Sequence, residues 1–360
     1  MDKIRWGILS TGGIARVVTE AIQFLDDAEV VAVGSRTAES AEEFGAKYNI
    51  PHRHASYEAL ANDPEVDAIY IATPHNLHKD NALLSLGAGK AVLLEKPFTV
   101  NAAEAAEVIN FARQKNLFLM EAMWSRFIPL MYKLREMLAA GVIGELRMVH
   151  ADCSIRIPFN PKSRMFDLNL AGGALLDSGI YPFSMASMIL GKPSSVVSQS
   201  YIGESGADEQ AAAVLSYPKG ELAVLSTAIR TAGPQELLIR GTEGYIKIIG
   251  WQRATKLTIT RPGQDDEVIE MGYEGNGKNY QVAEVMRCMR AGLIESPVMP
   301  LKETLDIMST LDAVRAPWGL KYPAIRWTLL LPIQRLIQWC WTCPLKRSFF
   351  TMKPLPNTLT

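Results

Sequence analysis

Short apolar runs rich in β-branched residues alternate with amphipathic helical stretches throughout the N-terminal third of the chain. The predicted strands are Ile4–Leu9, Glu29–Gly34, Ala68–Thr73, Ala91–Glu95 and Leu117–Met120. The predicted helices between them include Ala38–Tyr48, His75–Leu86 and Ala102–Lys115. Continuous apolar strands are typical of a sheet buried on both faces, and each parallel crossover needs a helix to return the chain. The pattern therefore predicts an α/β domain with a parallel sheet between two layers of helices.

The pattern changes after residue 123, where strand-like runs follow one another across short turns. The predicted strands there are Glu145–Ile157, Ala211–Tyr217, Leu222–Ile229, Glu236–Arg240, Tyr245–Ile249 and Lys256–Thr260, and the predicted helices are Pro129–Ala140, Tyr280–Ala291 and Lys302–Val314. Consecutive strands with short connections favour an antiparallel sheet. We expect a first domain over 1–123, an α+β domain with a large, mostly antiparallel sheet over 124–323, and an atypical tail, a candidate for disorder, over 324–360.

Composition excludes several classes of protein. The formal net charge of −1 gives no electrostatic reason to expect a nucleic acid or an anionic membrane as a partner. The N-terminus carries charges where a signal peptide would be apolar, so we expect a cytoplasmic protein with no membrane segment. The four cysteines form no disulfide framework, and the Cys340/Cys343 pair lacks the second pair that a zinc site would need.

The turn after the first predicted strand resembles a dinucleotide-binding fingerprint. Its three glycine positions hold Ser10, Gly12 and Ala15, so the first position departs from the usual residue. The helix predicted to start at Gly13 would direct free backbone N–H groups at a pyrophosphate. The cofactor-binding residues predicted from this turn are Ser10, Thr11, Gly12, Gly13 and Ile14. A plain glycine-rich turn is the alternative interpretation.

The end of the second predicted strand favours NADP(H) over NAD(H). An acidic residue at this point would bind the ribose 2′-hydroxyl of NAD. This chain has Ser35 and Arg36 there instead, and a guanidinium suits a 2′-phosphate. The alternatives are a solvated loop arginine and NAD(H) as the cofactor.

Two further motifs follow predicted strands of the first domain. One is Ala-Thr-Pro-His-Asn-Leu-His at 72–78, and the other is Leu-Glu-Lys-Pro at 94–97. With Arg-Trp-Gly-Ile-Leu at 5–9, they resemble the Gfo/Idh/MocA oxidoreductase family from about residue 3 to residue 323. The segments 121–127, 164–167, 172–182, 296–300 and 318–323 are similar to a branch that contains dimeric dihydrodiol dehydrogenases and NADP-dependent D-xylose dehydrogenases. The resemblance implies a homodimer formed through the C-terminal sheet.

The resemblance also implies the catalytic residues. Hydride transfer to a carbonyl requires a group that handles the hydroxyl proton, because the cofactor carries only the hydride. Lys96 and Tyr181 take this role by resemblance, with Asp177 one helical turn before Tyr181. An ammonium beside a phenol favours the phenolate, so we expect Lys96 to lower the pKa of Tyr181. The alternatives are a surface lysine, a core tyrosine and a helix-capping aspartate.

The remaining site residues also come from the resemblance. The cofactor contacts it implies are Thr73, Pro74, Asn76, His78, Glu95, Lys96, Trp124 and Arg126. The substrate contacts it implies are Trp124, Arg164, Phe166, Asp177 and Tyr181, with Asp167 as a weaker candidate. Trp124 and Arg126 have structural alternatives, namely a packed aromatic ring and a salt-bridged arginine. His75 and His78 have a metal-ligand spacing but no third ligand nearby, so no metal site is predicted.

These observations lead to one main hypothesis and two others. The main one is an oxidoreductase that moves a hydride between NADP(H) and a sugar, a polyol or a cyclic diol. The second is a regulatory protein that binds the cofactor without turnover. The third is a chain inactivated by its altered tail.

Overall fold

The computed structural model describes residues 2–323. The predicted tail at 324–360 and the Cys340/Cys343 pair lie outside the described residues. Among residues 2–323, every helix is too short or too polar to cross a bilayer.

The N-terminal part is a six-stranded parallel sheet. Its strands are β1 Ile4–Leu9, β2 Ala28–Gly34, β3 His52–His54, β4 Ala68–Ile71, β5 Ala91–Glu95 and β6 Leu119–Ala122. Their order across the sheet is β3-β2-β1-β4-β5-β6, which is the order of a Rossmann domain. The chain changes direction across the sheet between β1 and β4, and ligands of such sheets bind outside the carboxyl ends of the strands at this point.

Helices cover both faces of this sheet, as the alternating pattern predicts. They are α1 Gly13–Gln23, α2 Ala38–Tyr48, α3 Tyr57–Ala61, α4 His78–Gly87 and α5 Ala102–Lys115. Local caps define several of their ends. Thr37 accepts the Ser40 N–H at the start of α2, and Asn101 accepts the Glu104 N–H at the start of α5. Asn116 ends α5 in the left-handed conformation with a φ of 53°.

The C-terminal part is built on an eight-stranded sheet. Its strands are β7 Leu146–Ser154, β8 Ser195–Ile202, β9 Asp208–Ser216, β10 Leu222–Ala228, β11 Glu236–Gly241, β12 Tyr245–Ile249, β13 Lys256–Thr260 and β14 Glu267–Glu270. Its helices are α6 Pro129–Ala139, α7 Ile180–Leu190, α8 Asn279–Arg290 and α9 Leu301–Arg315. The strand order is β14-β13-β12-β11-β7-β10-β9-β8. Only β7 and β10 pair in parallel, so the sheet is mostly antiparallel, as predicted.

The two faces of this sheet differ in cover. Along β9, Ala213 and Leu215 are buried on the inner face, where α7 and α9 pack against the sheet. Val214, between them, points outward and is 41% exposed. It pairs with Val197 of β8 and Val224 of β10, so an apolar row crosses the outer face.

The chain returns to the Rossmann sheet after β14. The Thr304 hydroxyl of α9 donates to the Glu121 carboxyl of β6 at 3.1 Å, and the Asn276 amide donates to the Val17 carbonyl of α1 at 2.8 Å. The two parts accordingly form one compact unit up to residue 323.

Most predicted elements are present, with some differences at their ends. The bounds of four strands, Ile4–Leu9, Ala91–Glu95, Tyr245–Ile249 and Lys256–Thr260, are those predicted. The predicted helix His75–Leu86 begins instead as a short 3-10 turn, His75–Leu77, before α4. Strands β3, β8 and β14 are not among the predicted ones. The domain boundaries at 123 and 323 stay predictions.

Candidate active site

The turn after β1 leads directly into a helix N-terminus that no side chain caps. Ser10 adopts a φ of 97°, the conformation for which the fingerprint normally uses glycine. Gly12 is the N-cap of α1, and no side chain bonds to the first N–H groups of the helix. These N–H groups lie at the positive end of the helix dipole, which suits an anion.

Gly12 and Gly13 fit a dinucleotide-binding turn because packing among residues 2–323 does not explain them. A Cβ added at Gly12 would meet only the Ser10 hydroxyl, at 4.0 Å, and one at Gly13 would meet nothing within 4 Å. Gly12 has a φ of −69°, which any residue adopts. No atom of residues 2–323 therefore requires the small size of either glycine, and the open space suits a pyrophosphate.

The end of β2 presents a cation beside this turn. The Ser35 N–H donates to the His54 carbonyl at 3.0 Å, which fixes the strand end. Arg36 is exposed, and within residues 2–323 its guanidinium has no hydrogen-bond or salt-bridge partner. Burial raises the pKa of the neighbouring Tyr57 phenol, although the Arg36 charge and the Ser10 hydroxyl act to lower it. This arrangement is compatible with a bound phosphate, and contact of Ser35 and Arg36 with a cofactor stays a prediction.

The loops after β4 and β5 are joined by the imidazole of His78. Its Nδ1 lies 2.7 Å from the Pro97 carbonyl oxygen, and its Nε2 lies 2.9 Å from the Thr73 carbonyl oxygen. His78 is fully buried, so it supports these loops from inside rather than presenting a surface to a ligand. The nearby Asn76 Oδ1 is buried and has no partner within the described residues, which leaves it available to a ligand. Contact between these residues and a cofactor stays a prediction.

Lys96 lies at the end of β5, on a strand end held by Glu95. The Tyr70 hydroxyl donates to the Glu95 carboxyl at 2.5 Å, and the Lys96 N–H donates to the same carboxyl at 3.1 Å. Burial raises the pKa of Glu95, and the neighbouring Lys96 opposes that shift. The peptide bond between Lys96 and Pro97 is cis.

The Lys96 side chain reaches a break in the regular helix of the C-terminal part. Residues Leu175–Gly179 form a π-helical segment that continues into α7. A π-helix pairs each carbonyl with the N–H five residues later, and for Asp177 that residue is Pro182, which has no N–H. The Asp177 carbonyl instead accepts a hydrogen bond from Lys96 Nζ at 2.7 Å.

Tyr181 completes the group predicted from the sequence. Lys96 Nζ lies 4.7 Å from the centroid of the Tyr181 ring, and the Trp124 indole N–H donates to the Tyr181 hydroxyl oxygen at 3.1 Å. Burial raises the pKa of Tyr181, and the Lys96 charge only partly offsets this effect. The expected lowering of this pKa is therefore not what the geometry gives, because burial outweighs the ammonium. The phenol keeps its proton at neutral pH.

Asp177 is a buried carboxylate among cations. Its Oδ1 lies 2.6 Å from Arg164, 3.6 Å from His75 Nε2 and 3.7 Å from Lys96 Nζ. Burial alone would raise the pKa of Asp177, but Lys96 and Arg164 hold it well below its usual range. In return, although burial disfavours the charge on Lys96, Asp177 raises the lysine pKa to about 12. Lys96 is an ammonium throughout the physiological range.

Three predicted site residues make their contacts within the protein. Arg126 is buried, pairs with Glu303 at 2.7 Å and bonds to Ser184, which favours the structural alternative for this arginine. Phe166 is buried in a small separate core and packs edge-on against Phe159. Asp167 caps a short turn by accepting the Asn169 N–H. Their predicted ligand contacts remain untested by this geometry.

The structure adds residues that the sequence analysis did not assign to the site. His75, considered only as a metal ligand, borders Asp177, and burial lowers the pKa of its ring to about 3. Lys278 lies with its Nζ 3.8 Å from the Trp124 ring centroid, and burial lowers its pKa to about 8. His75 stands within the quoted 72–78 motif, whereas Lys278 carried no sequence signal.

A Rossmann domain with an uncapped glycine-rich turn, a lysine after strand β5 and a tyrosine of α7 beside that lysine defines a nicotinamide-dependent oxidoreductase. Comparison with known proteins is consistent with this class. Residues 4–123 match the model of the oxidoreductase family with an NAD-binding Rossmann fold, and residues 131–247 match the GFO/IDH/MocA C-terminal domain. The chain belongs to the Gfo/Idh/MocA family and is a dehydrogenase or reductase acting on CH–OH groups.

Individual relatives cover nearly all of the described residues. The trans-1,2-dihydrobenzene-1,2-diol dehydrogenase of Mus musculus is 41% identical over 329 residues, which are 89% of this chain and 98% of the relative. A 3-ketoreductase from Actinomadura kijaniata, crystallised with NADP and TDP-benzene, is 28% identical with a TM-score of 0.79, covering 88% of this chain and 98% of its own. An aldose–aldose oxidoreductase from Caulobacter crescentus shares the fold at 23% identity, with a TM-score of 0.81 and coverage of 87% and 97%.

Proposed function

We propose that the chain interconverts an alcohol and a carbonyl group on a sugar, a polyol or a cyclic diol, with NADP(H) as its cofactor. The observation that carries this proposal is the convergence of Lys96, Asp177 and Tyr181 at the carboxyl end of β5. The names of the relatives, a diol dehydrogenase and a 3-ketoreductase, support the same substrate class.

Each residue of this group has a role in handling the proton. Bound nicotinamide supplies the hydride for reduction and takes it up in oxidation. In reduction, the Tyr181 phenol donates its proton to the substrate oxygen, since burial keeps it protonated. The Lys96 ammonium stabilises negative charge on that oxygen and on the resulting phenolate. The Trp124 N–H, 3.1 Å from the phenol oxygen, stabilises the same phenolate and orients the ring.

Asp177 keeps this arrangement charged and aligned. Its carboxylate raises the pKa of Lys96, so that the ammonium persists at every pH at which the enzyme would work. Arg164, half exposed and bonded to Asp177, is placed to meet a substrate hydroxyl at the rim of the site.

The preference for NADP(H) rests on Arg36. Its guanidinium, unpaired within residues 2–323, lies beside the turn predicted to bind the cofactor, where a 2′-phosphate would form a charge-assisted bond. The crystallised 3-ketoreductase carries NADP, which supports the same choice.

We further propose that the chain forms a homodimer through the outer face of the eight-stranded sheet. The supporting observation is the apolar row of Val197, Val214 and Val224, which no helix of the described part of the chain covers and which is flanked by an exposed Tyr201. An exposed apolar sheet face of this kind is typical of a two-fold interface between identical subunits. A cytoplasmic location stays a prediction.

The test is to follow absorbance at 340 nm with NADP(H) and a panel of aldoses, polyols and cyclic diols. Wild type, Lys96→Ala and Tyr181→Phe are compared, with Arg113→Ala as a surface control. We expect turnover in the wild type and the control, and losses of about 100-fold or more in kcat for both site variants. Near-normal rates in both site variants would contradict the assignment. Cofactor binding without turnover in the wild type would favour a regulatory protein instead.

A further inference from the structure

A cluster of metal-ligating side chains lies at the edge of the Rossmann sheet. Its members are His52 and His54 of β3 and Asp63, which follows α3. Their nearest ligand atoms, His52 Nδ1, His54 Nε2 and Asp63 Oδ2, all lie within 4.8 Å of one another. From these three side chains we propose a binding site for one divalent transition-metal ion of the Zn²⁺ type.

The backbone explains why these side chains meet. Residues two apart on a strand point to the same side, so His52 and His54 share a face while Arg53 points away to pair with Glu42. The Asp63 carboxyl is held in place because its Oδ1 accepts the Glu65 N–H at 2.9 Å. Its Oδ2 is left facing both imidazoles.

The distances suit an ion after a small adjustment. His52 Nδ1 lies 2.7 Å and His54 Nε2 lies 2.8 Å from the same Asp63 Oδ2. Tetrahedral Zn²⁺ with bonds of about 2.0–2.1 Å would hold its ligand atoms about 3.3 Å apart. Each imidazole nitrogen would therefore move roughly 0.5 Å away from Asp63 Oδ2, a shift that partly exposed rings can make.

The donor set and its surroundings select the kind of ion. Two imidazole nitrogens and one carboxylate oxygen suit Zn²⁺ and neighbouring transition metals, whereas Mg²⁺ and Ca²⁺ prefer oxygen alone. Three protein ligands leave a fourth position for water, and the half-exposed His52 opens the cluster to solvent. The nearby Lys90 ammonium bonds to the main-chain carbonyls of Asp63 and Val66 rather than to the carboxylate, so Oδ2 stays available.

The ion would be structural. The cluster is on edge strand β3, and strands β2, β1 and β4 separate it from the strand end that carries Lys96. It lies instead behind the cofactor loop, since the His54 carbonyl accepts the Ser35 N–H. Bound metal would fix the β3 end and the cluster without touching the substrate.

The competing interpretation is a pair of imidazole–carboxylate hydrogen bonds with no metal. The double variant His52→Asn, His54→Gln separates the two, because each amide nitrogen can occupy the position of the ring nitrogen it replaces. The amides still donate to Asp63, so the hydrogen bonds and the fold are retained, but an amide nitrogen does not ligate a metal. Glu58→Gln, at an exposed carboxylate of α3 outside the three proposed ligands, is the control.

Tag-free, chelator-treated protein is titrated with Co²⁺ followed by its visible absorption, and with Zn²⁺ by calorimetry. Wild type and Glu58→Gln should bind one equivalent, with a Zn²⁺-dependent rise in Tm. The double variant should have the Tm of metal-free wild type and bind at least about 10-fold more weakly. Equal binding by wild type and double variant, or no binding by the wild type up to about 1 mM metal, would overturn the proposal.

Discussion

Lys96 Nζ lies closer to the main-chain oxygen of Asp177, at 2.7 Å, than to the carboxylate oxygen of the same residue, at 3.7 Å. The helix backbone thus fixes the position of the ammonium, while the carboxylate mainly sets its charge. The two effects of Asp177 can be separated by substitution, because an amide side chain keeps the backbone contact and removes the negative charge.

We expect Asp177→Asn to move the alkaline limit of activity to lower pH. Without the carboxylate, burial dominates, and the Lys96 pKa falls from about 12 toward or below its usual value of 10.5. Measuring kcat/KM for reduction between about pH 7 and pH 11 should show the earlier decline, with kcat at least about 10-fold lower at neutral pH. Asp265→Asn, at an exposed residue of the turn between β13 and β14, should follow the wild-type profile. An unchanged alkaline limb in Asp177→Asn would show that this carboxylate does not control the lysine.

We expect Arg36→Ala to weaken NADPH binding much more than NADH binding. Loss of a charge-assisted contact to the 2′-phosphate costs about 2 kcal/mol, or roughly 30-fold in Kd, and NADH has no such phosphate. Fluorescence titration of both cofactors measures the two changes. Arg113→Ala, whose guanidinium pairs with Glu295, should alter neither. Equal losses for NADPH and NADH would refute the assigned role of Arg36.

We expect Asp208→Asn to flatten the pH dependence of stability. Burial raises the pKa of Asp208 to about 7 from 3.8, although the Leu175 N–H opposes the shift. Between these values the folded state retains a proton that the unfolded state has lost. Wild-type stability therefore falls as pH rises, by about 1.4 kcal/mol per unit at most.

Urea unfolding at about pH 5 and pH 8 checks this prediction. Relative to the wild type, the free energy of unfolding of Asp208→Asn should be higher at about pH 8 than at about pH 5. Burial also raises the pKa of Glu121 to about 7, and this residue contributes equally to the pH dependence of both proteins. The exposed-acid variant Glu204→Gln should behave as wild type. A constant difference between Asp208→Asn and wild type at both pH values would mean that Asp208 is ionised in the fold.

We expect Val214→Glu to yield monomers. A carboxylate in the middle of the apolar row on the outer sheet face would be desolvated in a dimer, at a cost of several kcal/mol. Light scattering coupled to gel filtration gives the molar mass. Leu293→Glu, at an exposed apolar residue outside the sheet, is the control and should keep the wild-type mass. Dimers of unchanged affinity in Val214→Glu would place the interface elsewhere.

Residue patterns predict the parts of the fold that depend on local periodicity. Strand β5 and helix α5 have their predicted bounds because apolar spacing and caps are encoded within each segment. Strand β3 escaped prediction, since its three residues, His-Arg-His, have little β-propensity and are a strand only by pairing with β2.

Site residues that belong to sequence motifs can be predicted, whereas contacts that depend on tertiary packing cannot. Lys96 and Tyr181 stand in recognisable motifs, but their approach to 4.7 Å depends on two domains meeting. Lys96 acts to lower the Tyr181 pKa as expected, but burial raises this pKa more, and a sequence shows a charged neighbour more readily than it shows burial. Lys278 lies 154 positions beyond Trp124 (278 minus 124), and only the returning C-terminal chain brings the two together.

The buried ring of His78, between the carbonyls of Thr73 and Pro97, has a consequence for how enzymes of this design can diverge. It sets the separation of two loops within the N-terminal domain, without help from any residue of the second sheet. Changes in the antiparallel half can then alter which molecule is accepted while the spacing of the Thr73 and Pro97 backbone beside Lys96 stays constant. The frame that carries the lysine and the residues that meet its ammonium are inherited from different halves of one chain.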